Sequence, residues 1–212
     1  MKAAIFDLDG TLADSIPLHF VAIKHALKKY GVDVKYRDWQ PYVGFLTTEF
    51  IDDLNKSRKL NIDKDKFKID KREYLNSLYK KKVKLFPGTK YLLRALKKNR
   101  IKMAVASSEW KKNVSFFLKL QGVDNYFDAI LAKEDIKKHK PDPGVFLKAA
   151  RLISVQPSEC VVFEDSKAGL EAAARAGMKS IAVSTTFPRK ELKADLVVSS
   201  LKEREKILKF IL

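Results

Sequence analysis

Ala3-Ala4-Ile5-Phe6-Asp7-Leu8-Asp9-Gly10-Thr11 is the stretch on which the reading of the fold turns. Four apolar residues run straight into two acids and a glycine. A short apolar run without polar alternation reads as a strand covered on both faces, the habit of parallel sheets. Runs at 101–107, 127–131, 160–163, 180–183 and 196–198 repeat the type. Helical patterns separate the later runs, at 89–98, 111–121, 143–153 and 166–176, with a last one from 202 to the C-terminus. Strand and helix alternate, which predicts an α/β fold with a doubly wound, mostly parallel sheet.

Residues 14–84 break the alternation. Ile16, Phe20, Ile23, Leu27 and Tyr30 recur at steps of four and three, the apolar stripe of an amphipathic helix, and Gly31 is a natural stop for it. Further helices are expected at 47–55 and 65–79, and Phe86-Pro87-Gly88 marks the return to the sheet. The expected organisation is a catalytic core from 1–13 and 85–212, with 14–84 inserted as an α-helical cap domain.

Composition narrows the class. Hydrophobic residues make up 46% and charged residues 33%, with few Gly and Pro and no polar low-complexity tract, so an ordered globular chain is expected. The single cysteine, Cys160, opens an apolar run and reads as a core thiol, which points to a reducing compartment. The opening segment is too short for a signal peptide, and no apolar stretch approaches the ~20 residues of a spanning helix, so a cytoplasmic protein without a membrane partner is expected. The net charge of +17 is the oddity, and 55–84 alone holds twelve Lys or Arg against four acids. With few aromatics interleaved, that run reads as a solvated helical face rather than a nucleic-acid groove.

The chemistry gathers where strands end. In Asp7-Leu8-Asp9-Gly10-Thr11 the first strand finishes in two acids one residue apart. The 101–107 run finishes in hydroxyls, the 160–163 run enters Glu164-Asp165, and Lys140 precedes a helix start. In an open parallel sheet these ends share one rim, where ligands bind. Asp7, Asp9, Glu164 and Asp165 would then meet, and two like charges about 4 Å apart repel by roughly 4 kcal/mol at an effective dielectric near 20. An all-oxygen set offsets this with a hard cation, and a few carboxylates plus waters and a substrate phosphate is how magnesium is usually held. Ser107 and Lys140 suit the phosphate, each as a charge-assisted hydrogen bond worth roughly 1.5–3 kcal/mol. Paired acids also divide labour: Asp7 attacks phosphorus, and Asp9 passes a proton to the leaving oxygen and later takes one from water.

The DLDGT stretch at 7–11, the serine of AVASS, the lysine of KPDP and the VVFEDS stretch with its following G, AA and AGM together resemble the haloacid dehalogenase superfamily of phosphatases. The likeness covers 1–13 and about 85–212, and the helical insertion sits where that family's subgroup carries a cap. The resemblance implies a Rossmann-like core, a cap that closes over substrate, and a phosphatase working through an aspartyl-phosphate on Asp7. It implies Asp9 as acid/base with its backbone carbonyl toward Mg²⁺, and Ser107, Lys140 and Thr11 on the phosphate. Asp7, Asp9, Glu164 and Asp165 form the implied metal site. The expected substrate is a small phosphorylated metabolite, a phosphomonoester of sugar phosphate or phosphoglycolate type, and no nucleic acid. Nothing in the chain sets an oligomeric state.

Nearby residues take structural roles first. Asp142 and Pro143 fit a helix N-cap and first helical position, and Gly169 and Gly177 fit close packing and a turn. His19, His25 and His139 read as surface or packing residues, with His19 the one worth testing at the cleft. Trp110 packs over the site or starts a helix. A dehalogenase is disfavoured, since that branch replaces the second acid and needs no metal. A sugar-phosphate mutase resembling β-phosphoglucomutase shares the core motifs, but its cap carries Gly-x-Ser-Arg where this chain reads Gly44-Phe45-Leu46-Thr47-Thr48-Glu49. A basic nucleic-acid-binding protein on a degenerate core is the reading from another class.

Overall fold

Ala3, Ala4, Ile5 and Phe6 are all fully buried, and they form β1 (Ala3–Phe6) at the middle of a six-stranded sheet. The computed structural model describes residues 1–44 and 47–212, with the side chains of Lys80 and Lys81 left out. Beside β1 lie β2 (Lys102–Ala106) and β4 (Cys160–Glu164); β3 (Ala129–Leu131) flanks β2, and β5 (Lys179–Val183) and β6 (Leu196–Val198) extend the other side. Every pairing is parallel, in the order β3-β2-β1-β4-β5-β6, the doubly wound arrangement expected from the alternating pattern.

Burial on both faces explains the unbroken apolar runs. Phe6 stacks on Phe163 with centroids 4.4 Å apart and meets Phe127 edge-on at 6.1 Å. Burying a side chain of this size contributes about 1.5–3 kcal/mol. On one face α7 (Gly144–Leu152) packs against β1, β2 and β3, and α8 (Lys167–Arg175) covers β4 and β5. Ala3, Ile5, Val162, Phe146 and Ala173 share one apolar cluster there. The core is completed by α5 (Thr89–Lys98), α6 (Lys111–Leu120) and α9 (Arg204–Ile211). The start of α7 differs from expectation by one residue: Pro143 is the N-cap, and Asp142 Oδ1 accepts the Gly144 N–H at 2.9 Å. Asp142 therefore stands one position before the N-cap, its carboxylate on the first helical N–H.

Chain contacts divide the protein into two compact units, Met1–Asp14 with Lys84–Leu212, and Ser15–Val83. The second contains α1 (Ile16–Lys28), α2 (Tyr36–Trp39), α3 (Thr47–Arg58) and α4 (Lys64–Lys82). Ile16, Ile23 and Leu27 are buried, as the stripe predicts, and α1 packs along α4. Both later helices run about three residues past the expected ends, and the short α2 was not foreseen. His19 meets Tyr79 edge-on at 6.4 Å and His25 lies flat on Tyr74 at 3.8 Å, so both histidines pack within their own unit. In the basic run, Lys64, Lys66 and Lys68 pair with Asp52, Asp63 and Asp65 on exposed helical surface. Of Gly44 to Glu49, Phe45 and Leu46 lie outside the described residues. No helix among the described residues is long and apolar enough to cross a membrane.

Candidate active site at the strand ends

The register of the sheet delivers the site. Phe6 is level with both Val105 and Phe163, so Asp7, Ala106 and Glu164 follow side by side. Asp7 N–H donates to Phe163 O at 2.9 Å, and Ser107 N–H donates to Leu131 O at 3.0 Å, which extends the ladder one residue beyond each strand. The connections out of β1 run first to one side and then to the other, so Asp7 stands at the reversal point where open α/β sheets bind ligands.

Lys140 ties these ends together. From the loop before α7 its Nζ reaches Asp7 Oδ1 at 2.5 Å, Glu164 Oε1 at 2.6 Å and Ala106 O at 3.3 Å. The lysine side chain is 3% exposed and that of Glu164 1%. Burial alone would make the ammonium easier to deprotonate, but the Asp7 and Glu164 carboxylates outweigh it and hold Lys140 above its ordinary range. Asp7 is raised well above the usual carboxylate range, mainly by burial; Lys140 opposes this, while Glu164, Asp165 and Asp9 push the same way as burial. Asp165 is pushed up to about 8, first by burial and then by Glu164, against the hydrogen bonds from Thr186 and Thr11 and the charge of Lys140. Three buried acids thus face one buried ammonium. Ser107 Oγ accepts the Glu109 N–H at 3.0 Å, which leaves its hydroxyl hydrogen to donate. Asp9 is half-buried on the turn after β1.

Two residues expected at the site carry hydrogen bonds within the protein. Glu164, expected to ligate metal, has both oxygens committed: Oε1 to Lys140, and Oε2 to Asp165 N–H, Ser166 N–H and Ser166 O–H at 2.8–2.9 Å. It orients the lysine and the start of α8, and Gly169 makes room for it, since a Cβ there would stand 1.8 Å from Oε1. Thr11, expected on the phosphate, is fully buried; its hydroxyl donates to Asp165 Oδ1 at 3.2 Å and its N–H to Leu8 O. Among the described residues, no three His, Cys, Asp or Glu side chains form a metal cluster. Asp7 and Asp165, with Asp9 on the adjacent turn, form an all-oxygen set of the kind that suits a hard cation held partly by water and substrate.

The structure also brings in residues the sequence reading missed. Ser166 caps α8 by accepting the Gly169 N–H at 3.1 Å while it donates to Glu164. Thr186 donates to Asp165 Oδ2, and Thr185 donates to Gly10 O at 2.5 Å. Their only early signal was two hydroxyls just past a strand, which gains meaning once β5 is known to lie beside β4. Trp110 is the N-cap of α6, with Lys133 Nζ 4.7 Å over its ring, and His139 is half-buried, its imidazole made harder to protonate by burial and by Lys133. Cys160 is a buried free thiol.

A carboxylate bonded to a buried lysine at the reversal point of a doubly wound sheet, with further acids at its side, is a polar cluster set where open α/β enzymes bind their ligands. The chain belongs to the haloacid dehalogenase-like hydrolase family, whose sequence profile matches residues 4–183. It is 32% identical to a phosphorylated carbohydrates phosphatase of Thermotoga maritima over 85% of this chain and 84% of that one. It is 34% identical to a β-phosphoglucomutase of Bacillus subtilis over 93% and 89% of the two chains. A solved hydrolase from Pseudomonas syringae superposes with a TM-score of 0.87 at 26% identity, covering 100% of this chain and 99% of that one.

Proposed function

We propose that this protein is a magnesium-dependent phosphatase of small phosphomonoesters, of sugar phosphate or phosphoglycolate type, with Asp7 as nucleophile. The observation that carries the reading is Lys140 Nζ at 2.5 Å from Asp7 Oδ1, a buried ammonium that opposes the rise burial gives this carboxyl and supplies positive charge where a ligand would arrive. The phosphatase relative from Thermotoga maritima supports the substrate class.

The side chains divide the reaction as follows. Lys140 and Ser107 grip the non-bridging oxygens of the phosphoryl group. All three ammonium hydrogens of Lys140 have partners, and the weakest, Ala106 O at 3.3 Å, is the one a phosphate oxygen replaces. The free oxygen of Asp7 attacks phosphorus, and the bond from phosphorus to the alcohol oxygen breaks. Asp9 gives its proton to that oxygen, leaving an acyl phosphate on Asp7. Asp9 then takes a proton from water as the water oxygen attacks phosphorus, which releases phosphate and restores the Asp7 carboxylate. Magnesium held by Asp7, Asp165 and the Asp9 carbonyl would neutralise charge on the phosphoryl oxygens. Glu164 acts through Lys140, which it holds in place.

Release of phosphate from p-nitrophenyl phosphate and a panel of phosphomonoesters, in magnesium and in EDTA, tests the proposal. Metal-dependent turnover of one or more is expected, and none in either condition refutes it. A mutase is the second reading, favoured by the relative from Bacillus subtilis. Incubation with β-glucose 1-phosphate and a trace of the bisphosphate separates them: free phosphate marks the phosphatase, glucose 6-phosphate the mutase.

A further inference from the structure

We propose that Thr186, on the loop after β5, is a positioning residue that sets the Asp165 carboxylate for the divalent ion, with Thr185 bracing the turn against which that carboxylate rests. The inference rests on the phosphatase reading above.

Asp165 is 1% exposed and is held from three directions. Thr11 Oγ1 donates to Oδ1 at 3.2 Å, and Thr186 Oγ1 donates to Oδ2. Gly10, at φ +86°, lies so close that a Cβ on it would stand 2.1 Å from Oδ2. One donor on each oxygen fixes the plane of a carboxylate that would otherwise turn about its last bond. Thr186 is 5% exposed, and a β-branched side chain has little rotamer freedom to spend elsewhere. The neighbouring Thr185 donates to Gly10 O at 2.5 Å, so consecutive residues of one loop hold the acid and the turn it leans on. Each hydroxyl donates once and leaves the carboxylate further lone pairs for a cation. Partners of this kind change metal affinity by about 10–100-fold when removed.

Thr186→Val keeps the shape of the side chain and removes the donor; Thr186→Ser keeps the donor. For each protein the readouts are the rise in melting temperature from EDTA to magnesium, and the magnesium concentration giving half-maximal turnover of p-nitrophenyl phosphate. A residue that only supports the fold lowers the melting temperature equally in both conditions and leaves the half-maximal concentration alone. The expected result for Thr186→Val is a smaller magnesium-induced rise and a half-maximal concentration raised about tenfold, with Thr186→Ser restoring both. An unchanged rise and half-maximal concentration in Thr186→Val overturns the proposal while the wild type still binds metal. A wild type with neither a magnesium-induced rise nor metal-dependent turnover overturns the phosphatase reading itself. Should the valine variant not fold, Thr186→Ala gives the same two readouts.

Discussion

Replacing Lys140 with methionine preserves most of the side-chain volume and removes one buried charge. That charge lies 2.5 Å from Asp7 Oδ1 and 2.6 Å from Glu164 Oε1. At such separations each attraction is roughly 6–7 kcal/mol at an effective dielectric near 20, before the cost of taking the ions out of water. Desolvation cancels most of it, and removing one member of a buried pair destabilises by about 3–5 kcal/mol. Lys140→Met is therefore expected to lose about 3–5 kcal/mol at about pH 8. The loss should depend on pH in a definite direction. Burial already raises Asp7, and Lys140 is the group that opposes the rise, so its removal lifts the carboxyl further. An acid with a raised folded-state pKa binds its proton more tightly folded than unfolded, so stability falls as pH climbs above the unfolded value of about 4. Near that value Asp7 is close to neutral and its share of the loss disappears, leaving the share that comes from Glu164. Lys140 stays charged up to about pH 10 in the unfolded chain, and its own raised value contributes no pH dependence below that. Urea unfolding in EDTA at about pH 4.5 and about pH 8, followed by circular dichroism, measures both effects. A loss below about 1 kcal/mol at the higher pH, or one equal at the two, refutes the reasoning.

Gly10→Ala places a methyl 2.1 Å from Asp165 Oδ2 on a backbone at φ +86°, and should destabilise by about 1–3 kcal/mol while cutting turnover, read by melting temperature and kcat. Ser107→Ala removes one donor to the phosphate and the acceptor of the Glu109 N–H, and should lower kcat/KM roughly 10–150-fold with a stability loss of about 1 kcal/mol, read by steady-state kinetics and urea unfolding. Gly169→Ala drives a methyl to 1.8 Å from Glu164 Oε1, so it should displace the carboxylate that holds Lys140; the expected outcome is loss of both stability and activity, measured in parallel.

The parts of the account visible in the sequence are those encoded locally. Ala3 to Phe6 announce a buried strand by having no polar face, and all six strands fall within the expected runs to within two residues. The rim that gathers Asp7, Ser107 and Lys140 follows from strand ends in a parallel sheet, so it too was readable. The sequence was silent where the contact spans the chain. Thr11 and Asp165 are separated by 154 residues, and nothing near Thr11 says that its hydroxyl is already in use. Glu164 and Asp165 are adjacent acids of equal promise in sequence. Only the capping geometry at Ser166 and the reach of Lys140 turn one inward to hold the lysine and leave the other beside Thr11, Thr186 and Gly10. Thr185 and Thr186 went unnoticed because their value depends on β5 pairing with β4, a property of the sheet order.

A bond between the Asp7 carboxylate and phosphorus is the claim from which the proposed mechanism follows, and it can be seen directly. The protein is mixed with a turned-over phosphomonoester and magnesium, quenched in acid within one turnover, digested, and its peptides weighed. The mass of one phosphoryl group on the peptide containing Asp7, absent from Asp7→Asn, is the predicted result. Phosphoryl on another residue, or an Asp7→Asn protein that still turns over substrate at the wild-type rate, would contradict it.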